Sequence, residues 1–168
     1  MIKSEIMKKN AYLILVIMML GSCQLNQTNN NTNTETEKLN HFMDDWHQAA
    51  AVADEKLFFD CLDSNAVYLG TDPDERWLKH EFMEWGMVYF QRDTAWAFKP
   101  YNRKWDFSDD MNYAWFDELL ETHMGVCRGS GVLKKYPEGW KIKHYNLSIT
   151  LPNDKMNEYR DLLNIPLK

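Results

Sequence analysis

Apolar side chains recur at helical spacing just after the amino-terminal region. Between residues 38 and 53 they fall three or four positions apart, which predicts a helix with one buried face: Leu39, Met43, Trp46, Ala50 and Ala53. Asp54 is placed to cap a second, short helix. The segment 66–70 favours a strand, and a third helical pattern covers residues 79–90.

From Trp96 onward the apolar period changes to two, which indicates β-strands. Trp96, Phe98, Trp105 and Phe107 predict one long strand or a pair of strands, kinked near Pro100. Three further strands are predicted at 113–124, 127–136 and 140–151, with turns at Gly125 and 137–139 and a helical tail after residue 153.

This order predicts one α+β domain, in which N-terminal helices pack on a strongly curved antiparallel sheet. No internal repeat and no second domain are visible in the sequence. The concave face of such a sheet, covered by the helices, is the expected place for a ligand cavity.

The amino terminus has the pattern of a signal peptide over residues 1–22. Three lysines precede an apolar run at 11–20, which is shorter than the roughly 20 residues that span a bilayer. Leu20-Gly21-Ser22-Cys23 then resembles the bacterial lipobox, which implies a lipid on Cys23 and a membrane-anchored protein of the cell envelope. The alternative is an ordinary signal peptide with a chance cysteine, and which membrane would hold the anchor stays open.

Residues 23–37 contain one large apolar side chain, Leu25, so we expect a flexible tether there. The folded domain is then predicted at 38–153 and a helical tail at 154–168. The two remaining cysteines, Cys61 and Cys127, are expected to be buried free thiols, with a disulfide as the alternative that an exported protein permits.

Charge and composition exclude several classes of partner. The net charge is −6, and removal of residues 1–22 takes away three lysines and one glutamate, which leaves about −8. An acidic domain without a basic stripe is not expected to bind nucleic acid. The five histidines are scattered and no phosphate-binding glycine loop is present, so we expect neither a metal nor a cofactor.

Several short segments form an ordered set along the folded part: Thr71-Asp72, Glu75-Arg76-Trp77, Ala114 to Glu118, Cys127 to Leu133, Trp140 to Ile142, Tyr145 to Ser148 and Pro152-Asn153. Taken together, they resemble the SnoaL-like branch of the nuclear transport factor 2-like superfamily. The resemblance covers about residues 39–153 and implies a cone-shaped α+β barrel that is often a homodimer. It implies no single activity, because such folds include isomerases, cyclases, dehydratases and non-catalytic binding or assembly domains.

Strand alternation predicts which face of the sheet lines the cavity. With turns near Gly125 and Glu138, Glu121 would lie opposite Ser130, and His123 opposite Arg128. One face then collects Trp115, Asp117, Glu121, His123, Arg128, Ser130, His144 and Asn146. The opposite face collects Lys135, Lys141, Lys143, Gly129 and Gly131. Since lysines belong in water, the first face is predicted to line the cavity. Glu118 is a rival to Asp117, because adjacent strand residues point to opposite faces.

The candidate site residues come from this face and from the tryptophans. Asp117, Glu121 and His144 are candidate acid/base groups, with His144 alternatively a wall residue. Candidate ligand-binding residues are Trp77, Trp115, Arg128, Ser130 and Asn146. Arg128 could equally form a structural ion pair with Glu121 or Asp117.

Three functions fit these expectations. The preferred one is a lipid-anchored module that binds a small, partly hydrophobic molecule. The second is an acid/base enzyme of the isomerase, cyclase or dehydratase type, which would use a pocket carboxylate or His144. The third is a non-catalytic dimerisation or assembly domain. A deep cavity favours the first two, and a cavity plugged by Trp and Met favours the third.

Overall fold

A computed structural model describes residues 32–166 of the 168-residue chain. By their internal contacts the described residues fall into two compact units, which divide between His41 and Phe42. The predicted signal peptide, Cys23 and residues 23–31 of the predicted tether lie outside the described residues. None of the helices in the described part is long and apolar enough to cross a membrane.

Residues 32–41 of the first unit are helical. The prediction of a flexible tether is therefore wrong for residues 32–37. A polar sequence does not prevent helix formation where side chains one turn apart attract each other, and Lys38 Nζ lies 2.9 Å from Glu35 Oε1.

The second unit combines helices with one sheet. Its helices are α1 (residues 42–51), α2 (Glu55–Asp60), α3 (Lys79–Phe90) and α4 (Met156–Leu162). Its strands are β1 (Leu62–Leu69), β2 (Arg76–Leu78), β3 (Lys99–Phe107), β4 (Tyr113–Thr122), β5 (Gly125–Tyr136) and β6 (Gly139–Ile149). Asp54 caps α2 as predicted, because its Oδ1 accepts a hydrogen bond of 2.9 Å from the Leu57 amide. The tail is helical in α4, also as predicted.

The sheet has the order β2-β1-β6-β5-β4-β3 and is not closed into a barrel. Four of its strand pairs are antiparallel, and β1 pairs with β6 in parallel, so the sheet is mixed rather than wholly antiparallel. A parallel pair needs a long crossover, which the chain between β1 and β6 supplies. The predicted class, an α+β fold with helices on one face of a curved sheet, is confirmed.

An aromatic core joins the helices to the covered face of the sheet. Trp46 of α1 stacks on Phe58 of α2 with ring centroids 4.9 Å apart, and its edge meets Tyr145 of β6 at 4.7 Å. The Trp46 indole also donates a hydrogen bond of 3.2 Å to the Phe58 carbonyl. The sheet contributes Ala114, Phe116, Leu120, Leu133 and Ile142, all buried. Burial of these side chains orients α1 and α2 on the sheet.

The predicted pairing of strands is partly right. Ser130 lies opposite Asn146, as expected, but it also lies opposite Asp117 rather than Glu121, which pairs with Val126. The observed register of β4 and β5 differs from the predicted one by four residues. Because four is an even number, the grouping of side chains by face is unchanged.

The prediction of which face is covered is wrong. Buried positions on β4 are the even-numbered ones, and on β5 the odd-numbered ones from Cys127 to Leu133. The helices therefore cover the face with Glu118, Gly129 and Gly131, and the face with Arg128 and Asn146 is the outer one.

The lysine positions led to the wrong prediction of the covered face because a bulge interrupts the alternation on β6. The register shifts between Val132 and Leu133, so Lys141 pairs with Lys134 on the outer face. Lys143 lies at this bulge and contacts Asp63 Oδ1 at 2.7 Å. Lysine positions therefore mark neither face of this sheet.

The glycines of β5 mark the covered face, because large side chains fill the space beside them. A β-carbon at Gly131 would lie 2.8 Å from Phe116 Cε1. Cys61 and Cys127 are buried free thiols, as predicted. Burial raises the pKa of the Cys61 thiol to about 11.

Candidate functional site

An aromatic cavity of about 330 Å³ opens between β1, β2, α3 and the segment 92–98. Its apolar wall consists of Tyr68, Trp77, Phe82, Trp85, Tyr89, Trp96, Phe98, Met124 and Leu147. The indoles of Trp77 and Trp85 stack at 4.7 Å, and those of Trp85 and Trp96 are nearly parallel at 6.1 Å. Flat, nearly parallel walls of this kind suit a planar apolar molecule.

Polar groups border the same cavity. The Arg92 guanidinium lies over the Tyr89 ring, 4.7 Å from its centroid. Glu75 Oε2 accepts a hydrogen bond of 3.1 Å from the Asp72 amide, and His123 comes from the turn between β4 and β5. These groups give the wall a polar part beside its aromatic one.

A charged cluster lies on the covered face of the sheet, formed by the buried side chains of His47, Arg103 and Glu118 and by Asp44, which is exposed. Glu118 Oε1 lies 2.7 Å from His47 Nε2, and its Oε2 accepts a hydrogen bond of 2.8 Å from Arg103 Nε. Arg103 Nη2 donates a further hydrogen bond of 2.8 Å to Asp44 Oδ1. Two helical residues of α1 are thereby tied to two strands.

A β-bulge positions Arg103 in this cluster. Tyr101 pairs with Leu119 and Lys104 with Asp117, so two residues of β3 face the single residue Glu118. The extra residue is accommodated at Asn102, whose φ of 54° lies in the left-handed region. Arg103 points inward with Trp105 and Phe107, and its side chain is only 7% exposed.

Electrostatics keep Glu118 ionised although its side chain has no exposed surface. Burial by itself would raise its pKa, but the hydrogen bond and charge of His47 and the charge of Arg103 outweigh it. The pKa of Glu118 therefore lies below its ordinary value. Since Glu118 occupies His47 Nε2, the Nδ1 atom is the ring nitrogen left to exchange a proton with a ligand.

A narrow gap brings the cluster next to the aromatic cavity. Its walls are Trp46, His47, Ala50, Phe58, Tyr68, Trp96, Phe98 and Tyr145. Three of these residues, Tyr68, Trp96 and Phe98, also line the large cavity, so the two spaces adjoin. Within residues 32–166, no three metal-ligating side chains converge in a way that could hold a metal ion.

The predicted site residues separate into two groups. Trp77 lines the cavity, and the carboxylate inside the fold is Glu118, the rival to Asp117. The outer face carries Trp115, Asp117, Glu121, Arg128, Ser130, His144 and Asn146. Arg128 pairs there with Asp117 at 2.9 Å, both half-exposed, which is the structural alternative considered for it. Burial lowers the pKa of His144, which lies opposite Val67 and Val132.

Three members of the cluster, Asp44, His47 and Arg103, were absent from the sequence-based candidates. His47 had a signal, since it lies four residues after Met43 and three before Ala50, on the buried face of the helix. A histidine on that face needs a polar partner inside the fold. Arg103 also had a signal, since it lies two residues before Trp105 and four before Phe107, which alternation places on the same face of the strand.

The fold and the cavity define a class of protein, a cone-shaped α+β domain with a pocket beneath its helices. The SnoaL-like domain family matches residues 39–152, and the chain belongs to that family. We found no match among curated protein sequences.

Solved structures with the same fold differ widely in sequence. An NTF2-like protein of unknown function from Pseudomonas putida KT2440 is 11% identical, with a TM-score of 0.60 over 73% of this chain and 92% of that one. A protein of Novosphingobium aromaticivorans DSM 12444, provisionally named scytalone dehydratase, is also 11% identical, with a TM-score of 0.60 over 71% and 87%. A provisionally named ketosteroid isomerase from Parabacteroides distasonis ATCC 8503 is 17% identical, with a TM-score of 0.51 over 62% and 82%. At these identities the likeness shows the fold alone.

Replacement of Glu118 tests the charged cluster. Glu118→Gln should lower the free energy of unfolding by about 3 kcal/mol at pH 7, because it leaves buried Arg103 without its internal anion. Asp117→Asn, one residue away in a half-exposed ion pair, should cost less than about 1 kcal/mol. Denaturant unfolding measures both.

The cost of Glu118→Gln should also depend on pH. The folded-state pKa of Glu118 is depressed, so its stabilisation is complete above its ordinary pKa of 4.5 and is lost as the pH falls through the folded value. The difference in unfolding free energy between wild type and variant should therefore decrease below about pH 4.5. Equal losses of unfolding free energy in Glu118→Gln and Asp117→Asn at pH 7 would contradict this account of the cluster.

Proposed function

We propose that this protein is a lipid-anchored, exported domain that binds a small, flat, partly hydrophobic molecule in the aromatic cavity. The observation that carries the proposal is the cavity itself, about 330 Å³ with nearly parallel indoles in its wall. That volume falls within the range of small-molecule sites. An open cavity of this size also argues against a plugged, purely structural core.

The residues of the cavity wall support a ligand-binding role for the wall rather than a role in core packing. Trp85 lies in the wall yet is 39% exposed, so its indole is not buried by the protein. An indole left open beside Trp77 and Trp96 can gain contact area when a planar molecule enters. Arg92, Glu75 and His123 supply polar contacts at the same wall.

Two matched tryptophan variants test the cavity. Trp85→Ala should weaken binding of 2-acetylnaphthalene about tenfold, because it removes one stacking surface. Trp115→Ala should leave affinity unchanged, since Trp115 is similarly exposed, at 44%, but lies on the outer face. Isothermal titration calorimetry measures both. Equal losses for the two variants, or a loss confined to Trp115→Ala, would move binding out of the cavity.

The anchor is proposed from the sequence. A basic start, a short apolar run and the segment Leu20 to Cys23 support lipidation of Cys23. A lipid there would hold the domain at a membrane surface of the cell envelope.

Metabolic labelling tests the anchor. Wild type should incorporate an alkyne-tagged fatty acid and sediment with membranes, whereas Cys23→Ser should do neither, because the acceptor thiol is gone. Cys61→Ser is the control, since that thiol is buried in the domain. Labelling that persists in Cys23→Ser would remove the anchor from the proposal.

A homodimer through the outer sheet face stays a prediction. Large side chains are exposed on that face, at Tyr101, Tyr113, Trp115 and Val126. A self-complementary sheet face with such side chains could form an isologous contact.

A second function, acid/base catalysis, is favoured by the His47–Glu118 pair beside the gap. A histidine held by a buried carboxylate has a fixed orientation and a favoured tautomer, which suits a general base. In its neutral form, with Nε2–H donating to Glu118, His47 would remove a proton next to a carbonyl of the bound molecule and return it to another carbon in an isomerisation, or to the leaving hydroxyl in a dehydration. This candidate replaces His144 as the base within the same class of function.

Exchange of the methyl protons of 2-acetylnaphthalene for deuterium in D₂O tests catalysis. Wild type should accelerate the exchange, and His47→Gln should abolish the acceleration while binding persists, because the base is lost. His144→Gln should retain the full rate, since His144 lies on the outer face. NMR follows the methyl signal, and a wild-type rate equal to that in buffer would leave binding as the function.

A further inference from the structure

Planar side chains form a row along one wall of the aromatic cavity, and an arginine stands at the end of that row. The ring centroids of Trp77 and Trp85 lie 4.7 Å apart, and those of Trp85 and Tyr89 lie 4.9 Å apart. The Arg92 guanidinium follows, 4.7 Å from the Tyr89 centroid. All four residues line the cavity. A flat molecule that lies along this planar row has one end beside a positive charge.

Helix α3 produces the planar row. Residues 85, 89 and 92 are spaced by four and three positions, which places them on one side of a helix. Although α3 ends at Phe90, the Arg92 amide donates a hydrogen bond of 3.2 Å to the Tyr89 carbonyl, so the chain continues to turn past the helix end. The local backbone therefore brings Arg92 over the Tyr89 ring.

We propose that Arg92 selects a carboxylate on the ligand, so that the cavity binds flat aromatic acids in preference to their neutral analogues. The inference rests on the proposed function, because it assigns one end of the same ligand. It narrows the ligand class to a planar apolar body with an anionic group at the end next to Tyr89.

The Arg92 guanidinium is available to an anion. Its side chain is exposed, and within residues 32–166 it forms no ion pair and no side-chain hydrogen bond. Stacking on Tyr89 uses one face of the planar group and leaves the N–H groups at its edge, where a carboxylate can accept two parallel hydrogen bonds. Arg103 differs in this respect, because Glu118 and Asp44 already balance its charge.

The carboxylate of the same wall, Glu75, does not neutralise Arg92. Its Oε2 accepts a hydrogen bond of 3.1 Å from the Asp72 amide, and its side chain packs against Gly70. Glu75 immediately precedes β2, which contains Trp77, so it belongs to the Trp77 end of the planar row. Arg92 lies beyond the other end, at Tyr89. The two charges therefore mark opposite ends of the wall.

The net negative charge of the chain, −6, does not prevent the binding of an acid. At 0.15 M salt the Debye length is about 8 Å, so exposed carboxylates farther from the site are largely screened. An ion pair in direct contact with Arg92 keeps more of its attraction, and this attraction should still weaken as salt is added.

Two probes of equal shape test the selection. 2-Naphthoate carries the carboxylate, and 2-naphthamide has a neutral amide in its place. Wild type should bind 2-naphthoate about tenfold more tightly, the effect of a charged hydrogen bond at an exposed site. Arg92→Gln should remove this preference and leave the affinity for 2-naphthamide within about twofold of wild type, because only the contact with the anion is lost. Isothermal titration calorimetry at pH 8, where imidazole groups are ordinarily neutral, measures the four affinities.

Arg76→Gln is the matched control. Arg76 is exposed and precedes Trp77 on β2, so it points to the outer face while Trp77 lines the cavity. This variant removes one positive charge from the same domain and should retain the preference for 2-naphthoate. A loss of preference equal to that in Arg92→Gln would assign the effect to the overall charge and overturn the inference.

The outcomes separate this inference from the proposed function. Equal affinities of wild type for the two probes, or a preference that persists in Arg92→Gln, overturn selection by Arg92 while the aromatic cavity stands. Binding of neither probe to wild type overturns both. Tighter binding of 2-(aminomethyl)naphthalene, a cation, than of 2-naphthamide would assign the charged end to Glu75 and also overturn the inference. Salt decides independently of the variants: the preference should fall about threefold between 0.05 and 0.5 M sodium chloride, and a constant ratio contradicts the ion pair.

Discussion

A carboxylate without exposed surface must have its charge matched inside the protein, and the rest of the fold is arranged around that requirement at Glu118. His47 from α1 and Arg103 from β3 supply the two contacts. A helix and the edge strand β3 are therefore fixed to β4 by one group. Arg103 reaches Glu118 from the same face of β3 as Trp105, which pairs with the buried Phe116.

The same arrangement determines where chemistry can occur. Because α1 is held over the sheet by the charged cluster, His47 and Tyr145 border a gap that adjoins the aromatic cavity. The cavity is apolar over most of its wall, whereas the gap is bordered by His47, whose imidazole is oriented by Glu118. A ligand with a flat apolar body and one polar end would match both parts. Membership of the SnoaL-like family is compatible with binding or catalysis, so these residues rather than the fold distinguish between them.

Particular residues show how far the sequence could be interpreted. Helix α3, the cap at Asp54 and the strands β4 to β6 follow from local spacing and turn residues, and each was predicted close to its observed place. Trp77 and the interior carboxylate were also anticipated, the latter because one of two adjacent strand carboxylates must point inward. His47 was visible on the apolar stripe of its helix, although it was not selected.

Other features depended on contacts between distant segments. Alternation determines which side chains share a face, but it does not determine which face the helices cover, and the lysines that served as the criterion lie around a bulge. The sequence by itself determined most of the helices and strands, the order of hairpins and the sharing of faces, because these depend on neighbours within a few positions. Only the tertiary structure decided that Arg76–Leu78 pairs with β1 as a strand, that Gly129 and Gly131 face inward and that Arg103 meets Glu118. Those outcomes depend on how large side chains from separate strands and helices fill one shared volume.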